Sequence, residues 1–161
     1  MKQANSLVAA LPLALCSLLL SHQAAAQLSL GGALTYGEGI EELGLQARAA
    51  YAFSPSLALA GKYSFFFVDD GVDFSMVDVD LHYTFLADGN VAFYGLGGIN
   101  LSIFDFDDFF VGFGSETEIG LNVGSGVTVG LNDQIDFVGE LKYVIGDADQ
   151  LVVSAGLRVG F

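Results

Sequence analysis

The chain has 161 residues, 19 of them acidic and only five Lys or Arg, for a formal net charge of −14, yet 53% of it is hydrophobic. That charge excludes nucleic-acid binding, because phosphates are repelled by so acidic a protein. The single cysteine, Cys16, excludes an internal disulfide framework.

In chain order, the first predicted element is a leader. Lys2 precedes an apolar run over 7–20, and Ala24-Ala25-Ala26 forms a small-residue cleavage site before Gln27. This pattern predicts a secretory signal peptide over 1–26. A membrane anchor needs about 20 apolar residues, and Pro12 and Ser17 interrupt a run already shorter than that. Lipidation of Cys16 is disfavoured by bulky Leu15 before it and by the apolar run that continues after it, so Cys16 leaves with the leader. Residues 27–161 then form one domain, with four bases (Arg48, Lys62, Lys142 and Arg158) against all 19 acids, a formal charge of −15.

From residue 27 onward the hydrophobic period is two. Leu28, Leu30, Leu34 and Tyr36 alternate with Ser29, Gly31, Ala33 and Thr35. Leu43, Leu45, Ala47, Ala49, Tyr51 and Phe53 then alternate with Gly44, Gln46, Arg48 and Ala50. The habit recurs over 57–67, 75–85, 91–103, 116–130, 135–145 and 151–161, giving eight segments in all. A helix would show period 3.6, and no segment does. Three connections are tight and rich in turn formers: 54–56, 87–90 and 131–134. Four alternate with them and are acidic: 37–42, 68–73, 104–115 and 146–150. Eight strands with short connections predict an all-β, eight-stranded antiparallel up-and-down barrel, whose closure removes both sheet edges.

Alternation does not say which face is inside. A soluble lipocalin-like small-ligand binder would turn the apolar face inward, and a membrane barrel would turn it toward lipid. The polar face is heavy in Gly, Ala and Ser, which suit the crowded lumen of eight strands. All four bases share that face with Asp78, Asp80, Glu116, Glu118, Asp136 and Glu140. The strands match the 9–11 residues of a tilted bilayer crossing. The expectation is therefore a transmembrane β-barrel with periplasmic termini. On that reading a charge at Leu141, on the lipid face, harms assembly more than Gly124→Ala on the inner face.

The leader, the eight alternating strands and the closing "GLRVGF" together resemble the small eight-stranded outer-membrane β-barrels, the porin-family or OmpX-like group of Gram-negative bacteria. The resemblance covers residues 27–161. It implies a monomer in the cell outer membrane, in contact with lipid and lipopolysaccharide. It also implies that the terminal aromatic, Phe161, is read by the outer-membrane assembly machinery.

The inward charges are the main constellation: Arg48, Lys62, Asp78, Asp80, His82, Glu116, Glu118, Asp136, Glu140, Lys142 and Arg158. An eight-stranded lumen is normally filled by side chains, so these predict a polar plug, with a narrow-pore channel as the alternative. Acids outnumber bases in this set, which predicts protonated or hydrated carboxylates. His82 lacks the partners of the lipid-A-modifying barrel enzymes, and a lone His is by default a satisfied interior residue. No nucleophile–base pair, cofactor fingerprint or metal set is legible, so the expectation is no enzyme and no cofactor. Asp105, Asp107 and Asp108, interleaved with phenylalanines, are candidates for an outer-loop contact with divalent cations. Their plainer reading is a solvated hairpin tip above an aromatic belt. The predicted role is structural or surface-interactive.

Overall fold

In the computed structural model, which describes residues 28–68, 72–106, 114–147 and 149–161, eight strands follow one another without a helix. They are β1 (Leu28–Gly37), β2 (Glu42–Ser54), β3 (Leu57–Phe66), β4 (Val72–Asp88), β5 (Val91–Phe106), β6 (Gly114–Gly130), β7 (Ile135–Gly146) and β8 (Gln150–Gly160). Each pairs antiparallel with its sequence neighbour, and β8 returns to β1 to close the barrel. Closure leaves no unpaired edge. The segment 1–26 lies outside the described residues.

The pleat sorts the side chains. Along β2, Gly44, Gln46, Arg48 and Ala50 are buried while Leu43, Leu45, Ala47 and Ala49 between them are exposed. The same alternation runs around the barrel, so the outer surface is a belt of leucine, isoleucine, valine, tyrosine and phenylalanine. Leu34, Leu43, Ile119 and Leu121 are 59–70% exposed there. Lys and Arg are absent from this belt among the described residues; Arg48, Lys62, Lys142 and Arg158 all point inward or to the rim.

The termini and the three tight connections share one end of the barrel, the terminus end. Ser54 Oγ accepts from the Leu57 amide at 3.1 Å. Gly89 takes φ +58°, a conformation that suits a residue without Cβ. Asn132 Oδ1 accepts from the amides of Gln134 and Ile135 at 3.0 and 2.9 Å. The four acidic connections share the other end, the loop end. β4, β5 and β6, at 17, 16 and 17 residues, exceed the predicted bilayer-length strands and extend past the others at that end. A β-bulge between Thr84 and Leu86 leaves both Phe85 and Leu86 on the outer face.

The lumen differs from expectation in one respect. Its loop-end half is apolar: Phe66, Phe74, Met76, Val144 and Val152 form one buried cluster, with Ile40, Val68 and Phe104 packed against it. Charged, polar and small residues fill the remainder, together with a smaller cluster of Tyr94, Leu96 and Val138.

Candidate functional site

Below the apolar cluster the strand register assembles the charges. Arg48 on β2 pairs in register with Lys62 on β3, which pairs with Asp78 on β4. Asp80 and His82 follow on the same face of β4. Across the lumen, β7 presents Glu140 and Lys142.

Glu140 is the hub. Its Oε1 accepts from Arg48 Nη2 at 2.7 Å and from the Tyr94 hydroxyl at 2.6 Å, and its Oε2 accepts from Lys62 Nζ at 2.6 Å. Lys62 Nζ also lies 2.9 Å from Asp80 Oδ2. His82 Nε2 stands 3.7 Å from Glu140 Oε1, and its ring stacks on Tyr94 with centroids 4.7 Å apart. A second pair, Lys142 Nζ to Asp78 Oδ2 at 2.5 Å, sits beside the first. Asn122 ties the two together, donating to Asp78 Oδ1 at 2.9 Å and Asp80 Oδ1 at 2.7 Å. Asn100 also donates to Asp78, and Ser102 donates to Asn100. Ion pairs this buried depend on partners for their remaining polar atoms; the asparagines and Tyr94 supply several of them, while Arg48 Nε and Nη1 have no protein acceptor.

The predicted set therefore divides. Arg48, Lys62, Asp78, Asp80, His82, Glu140 and Lys142 meet in one network. Three bases oppose three carboxylates there, so the expected excess of buried acid is corrected: the surplus carboxylates lie at the loop end and rims, where water screens them. Glu116 and Glu118, on β6 toward the loop end, do not join the network; Glu116 is exposed and Glu118 half-buried, and neither makes an ion pair among the described residues. Arg158 and Asp136 form a separate pair at the terminus end, 2.6 Å apart and about a quarter exposed. Asp107 and Asp108 lie outside the described residues; Asp105 is described only as backbone, opposite Asp73 on β4. Phe161 follows β8, its amide donating to the Leu28 carbonyl at 2.9 Å, its side chain 68% exposed on the outer face.

Sequence reading missed Tyr94, Asn100 and Asn122 as network members, although their parity on β5 and β6 places them inward. The glycines also matter. A Cβ on Gly126 would stand 2.8 Å from Tyr94 Cε2, so the Tyr94 ring occupies the space over that glycine. Gly126→Ala is expected to destabilise the barrel, and to do so much less in a Tyr94→Leu background. Urea unfolding of the four combinations measures the coupling, which contacting residues show at about 0.5–3 kcal/mol. Gly124→Ala, expected to harm assembly less than a charge at Leu141, carries a cost of its own, because its Cβ would meet the Lys142 backbone Cα at 2.7 Å. For the half-exposed rim pair, Asp136→Asn is expected to shift the unfolding free energy by no more than about 1 kcal/mol, as exposed ion pairs do.

No family model matches this chain, and no curated protein matches it. Solved structures do. The N-terminal β-barrel domain of Pseudomonas aeruginosa OprF superposes with a TM-score of 0.71 at 14% identity, covering 86% of this chain and 100% of that one. Neisserial surface protein A gives 0.68 at 18%, over 86% and 100%. The attachment invasion locus protein Ail of Yersinia pestis, solved with the heparin analogue sucrose octasulfate, gives 0.62 at 18%, over 83% and 96%. The fold is that of the small eight-stranded outer-membrane β-barrels.

Proposed function

We propose that this chain is an integral outer-membrane barrel protein whose role is structural or surface-interactive, with a lumen plugged by side chains rather than conducting, and with no catalytic activity. The observation that carries it is the sorting of charge. Every Lys and Arg among the described residues faces the lumen or its rim, and the outer belt is apolar on all eight strands. In lipid that arrangement satisfies both faces. The termini then lie in the periplasm and the acidic connections face the exterior. His82 supports the non-catalytic reading, since it is buried against Tyr94 and Glu140, with no serine or threonine hydroxyl among its partners in the described residues.

The exterior connections narrow the partner. Residues 37–42, 68–73, 104–115 and 146–150 carry 11 acids and no Lys, Arg or His. A sulfated polyanion of the kind bound to Ail would be repelled there; a cationic partner, or lipopolysaccharide phosphate bridged by divalent cations, fits the charge. Phe161, on the outer face where β8 meets β1, is the residue we assign to recognition by the assembly machinery. Phe161→Ser is expected to lower the amount of assembled barrel in outer-membrane fractions, and unchanged levels would remove that assignment.

Planar-bilayer recording tests the plug. The purified protein is expected to insert without conductance steps. Regular steps from the unmodified protein would favour a narrow pore instead.

A further inference from the structure

The lumen is built differently at its two ends. At the loop end, Phe66, Phe74, Met76, Val144 and Val152 are each at most 2% exposed. Phe66 packs tilted against Phe74, and Phe74 against Phe104, with centroids 5.2 and 4.6 Å apart. Gln150 enters this layer from its outer side, donating to Met76 Sδ at 3.4 Å; its Oε1 has no protein donor, and with Ile40, Phe74, Phe104 and Asp149 it lines a loop-end cavity of about 190 Å³ that stops at the layer. A largely apolar layer of this kind opposes ions whatever lies beneath it, because an ion entering it loses its hydration and gains few polar partners.

At the terminus end the filling is one-sided. Tyr94, Leu96 and Val138 pack together from β5 and β7, while the β2 and β3 side carries only Ala50, Ala52, Ala58 and Ala60 at inward positions. A cavity of about 120 Å³ lies there, lined by Ser29, Ala50, Ala52, Ala58, Asp136 and Arg158. It borders the quarter-exposed rim pair.

The next inward residue on β2 after Ala50 is Arg48. Its Nε and Nη1 have no protein acceptor although the residue is only 6% exposed, and Gln46 Oε1 and Thr35 Oγ1 have no protein donor. Buried donors and acceptors in this condition are ordinarily met by water. The apolar layer stands between these atoms and the loop end, and small alanines stand between them and the terminus end.

We propose that the lumen is a one-ended aqueous chamber. Water and small polar solutes enter it from the periplasmic side along the alanines, as far as Arg48, and the apolar layer is the barrier that separates it from the exterior. The ion pairs set the chamber's chemistry and are not the seal. This rests on the plugged-barrel reading above and locates the barrier within it.

Two measurements test it on full-length protein carrying Cys16→Ser. In nanodiscs, Ala50→Cys is expected to react with a small cationic thiosulfonate reagent, and Val152→Cys, within the layer, to be unreactive. In planar bilayers, Phe66→Ser combined with Met76→Ser is expected to open conductance, while Asp78→Asn combined with Lys142→Met, which removes an ion pair and keeps neutrality, is expected to stay silent. Heat-modifiable gel mobility establishes that each variant is folded; if the layer variant does not fold, the cysteine pair decides alone. An unreactive Ala50→Cys, a reactive Val152→Cys, a folded but silent layer variant, or a conducting Asp78/Lys142 variant would each overturn the proposal. Conductance from the unaltered protein would instead overturn the plugged reading itself, and loss of heat-modifiable mobility from the unaltered protein would overturn the barrel.

Discussion

Glu140→Leu is expected to destabilise the folded barrel by about 3–5 kcal/mol, the cost of removing one partner from a buried ion pair. The size follows from what is left behind. Arg48 loses its ion-pair partner, Tyr94 loses the acceptor of its hydroxyl, and Lys62 keeps only Asp80. The buried network goes from neutral to one uncompensated positive charge. Glu140→Gln is expected to cost nearly as much, because it preserves shape and not charge. Adding Arg48→Met to Glu140→Leu restores neutrality and is expected to recover a large part of the loss. Urea titration followed by the folded and unfolded bands on gels measures all three. A Glu140→Leu barrel as stable as the parent would mean that the hub contributes nothing.

Leu141→Arg, at the very next residue, is expected to fail for the opposite reason. Leu141 is 48% exposed on the outer belt and near the middle of β7, so its side chain sits toward the bilayer centre. A basic residue there costs about 2–4 kcal/mol at the midplane. Leu141→Ala is the control, since it shortens the side chain without adding charge. The assembled fraction should fall steeply for arginine and little for alanine. Equal, parental levels for both would mean that the face assigned to lipid is turned elsewhere.

These neighbours show what was legible in the sequence. One residue of offset puts Glu140 in the lumen and Leu141 in lipid, and strict alternation makes that readable without coordinates. The turns were readable for the same local reason: Ser54, Gly89 and Asn132 act on backbone within three residues. The apolar layer was only partly readable. Parity with Lys62 and Ser64 turns Phe66 inward, but nothing local says that it meets Phe74, Met76, Val144 and Val152 at one level of the lumen. The pairing of the network was also hidden. Arg48 and Glu140 are 92 residues apart, and they meet only because closure of β8 on β1 brings β2 and β7 toward one lumen. Counting acids on the inner face therefore overstated the buried negative charge, since parity says nothing about depth. Glu118 shares a face with Asn122, yet it sits two inward steps nearer the loop end, at the edge of solvent.

The resemblance to outer-membrane barrels rests on architecture, at identities of 14–18% in the structures compared. Alternation of this kind is imposed by lipid outside and close packing inside, and unrelated roles share it. The role of this chain therefore has to be argued from its own features: loop-end connections whose ionisable side chains are all acidic, the Glu140-centred network and the apolar layer above it.

Outer-membrane fractionation with heat-modifiable gel mobility puts the lipid-facing barrel to the plainest test. The protein is expected in the outer-membrane fraction, migrating faster unheated than boiled. A soluble protein with one mobility would contradict it, turning the apolar belt inward and the charged network out to water.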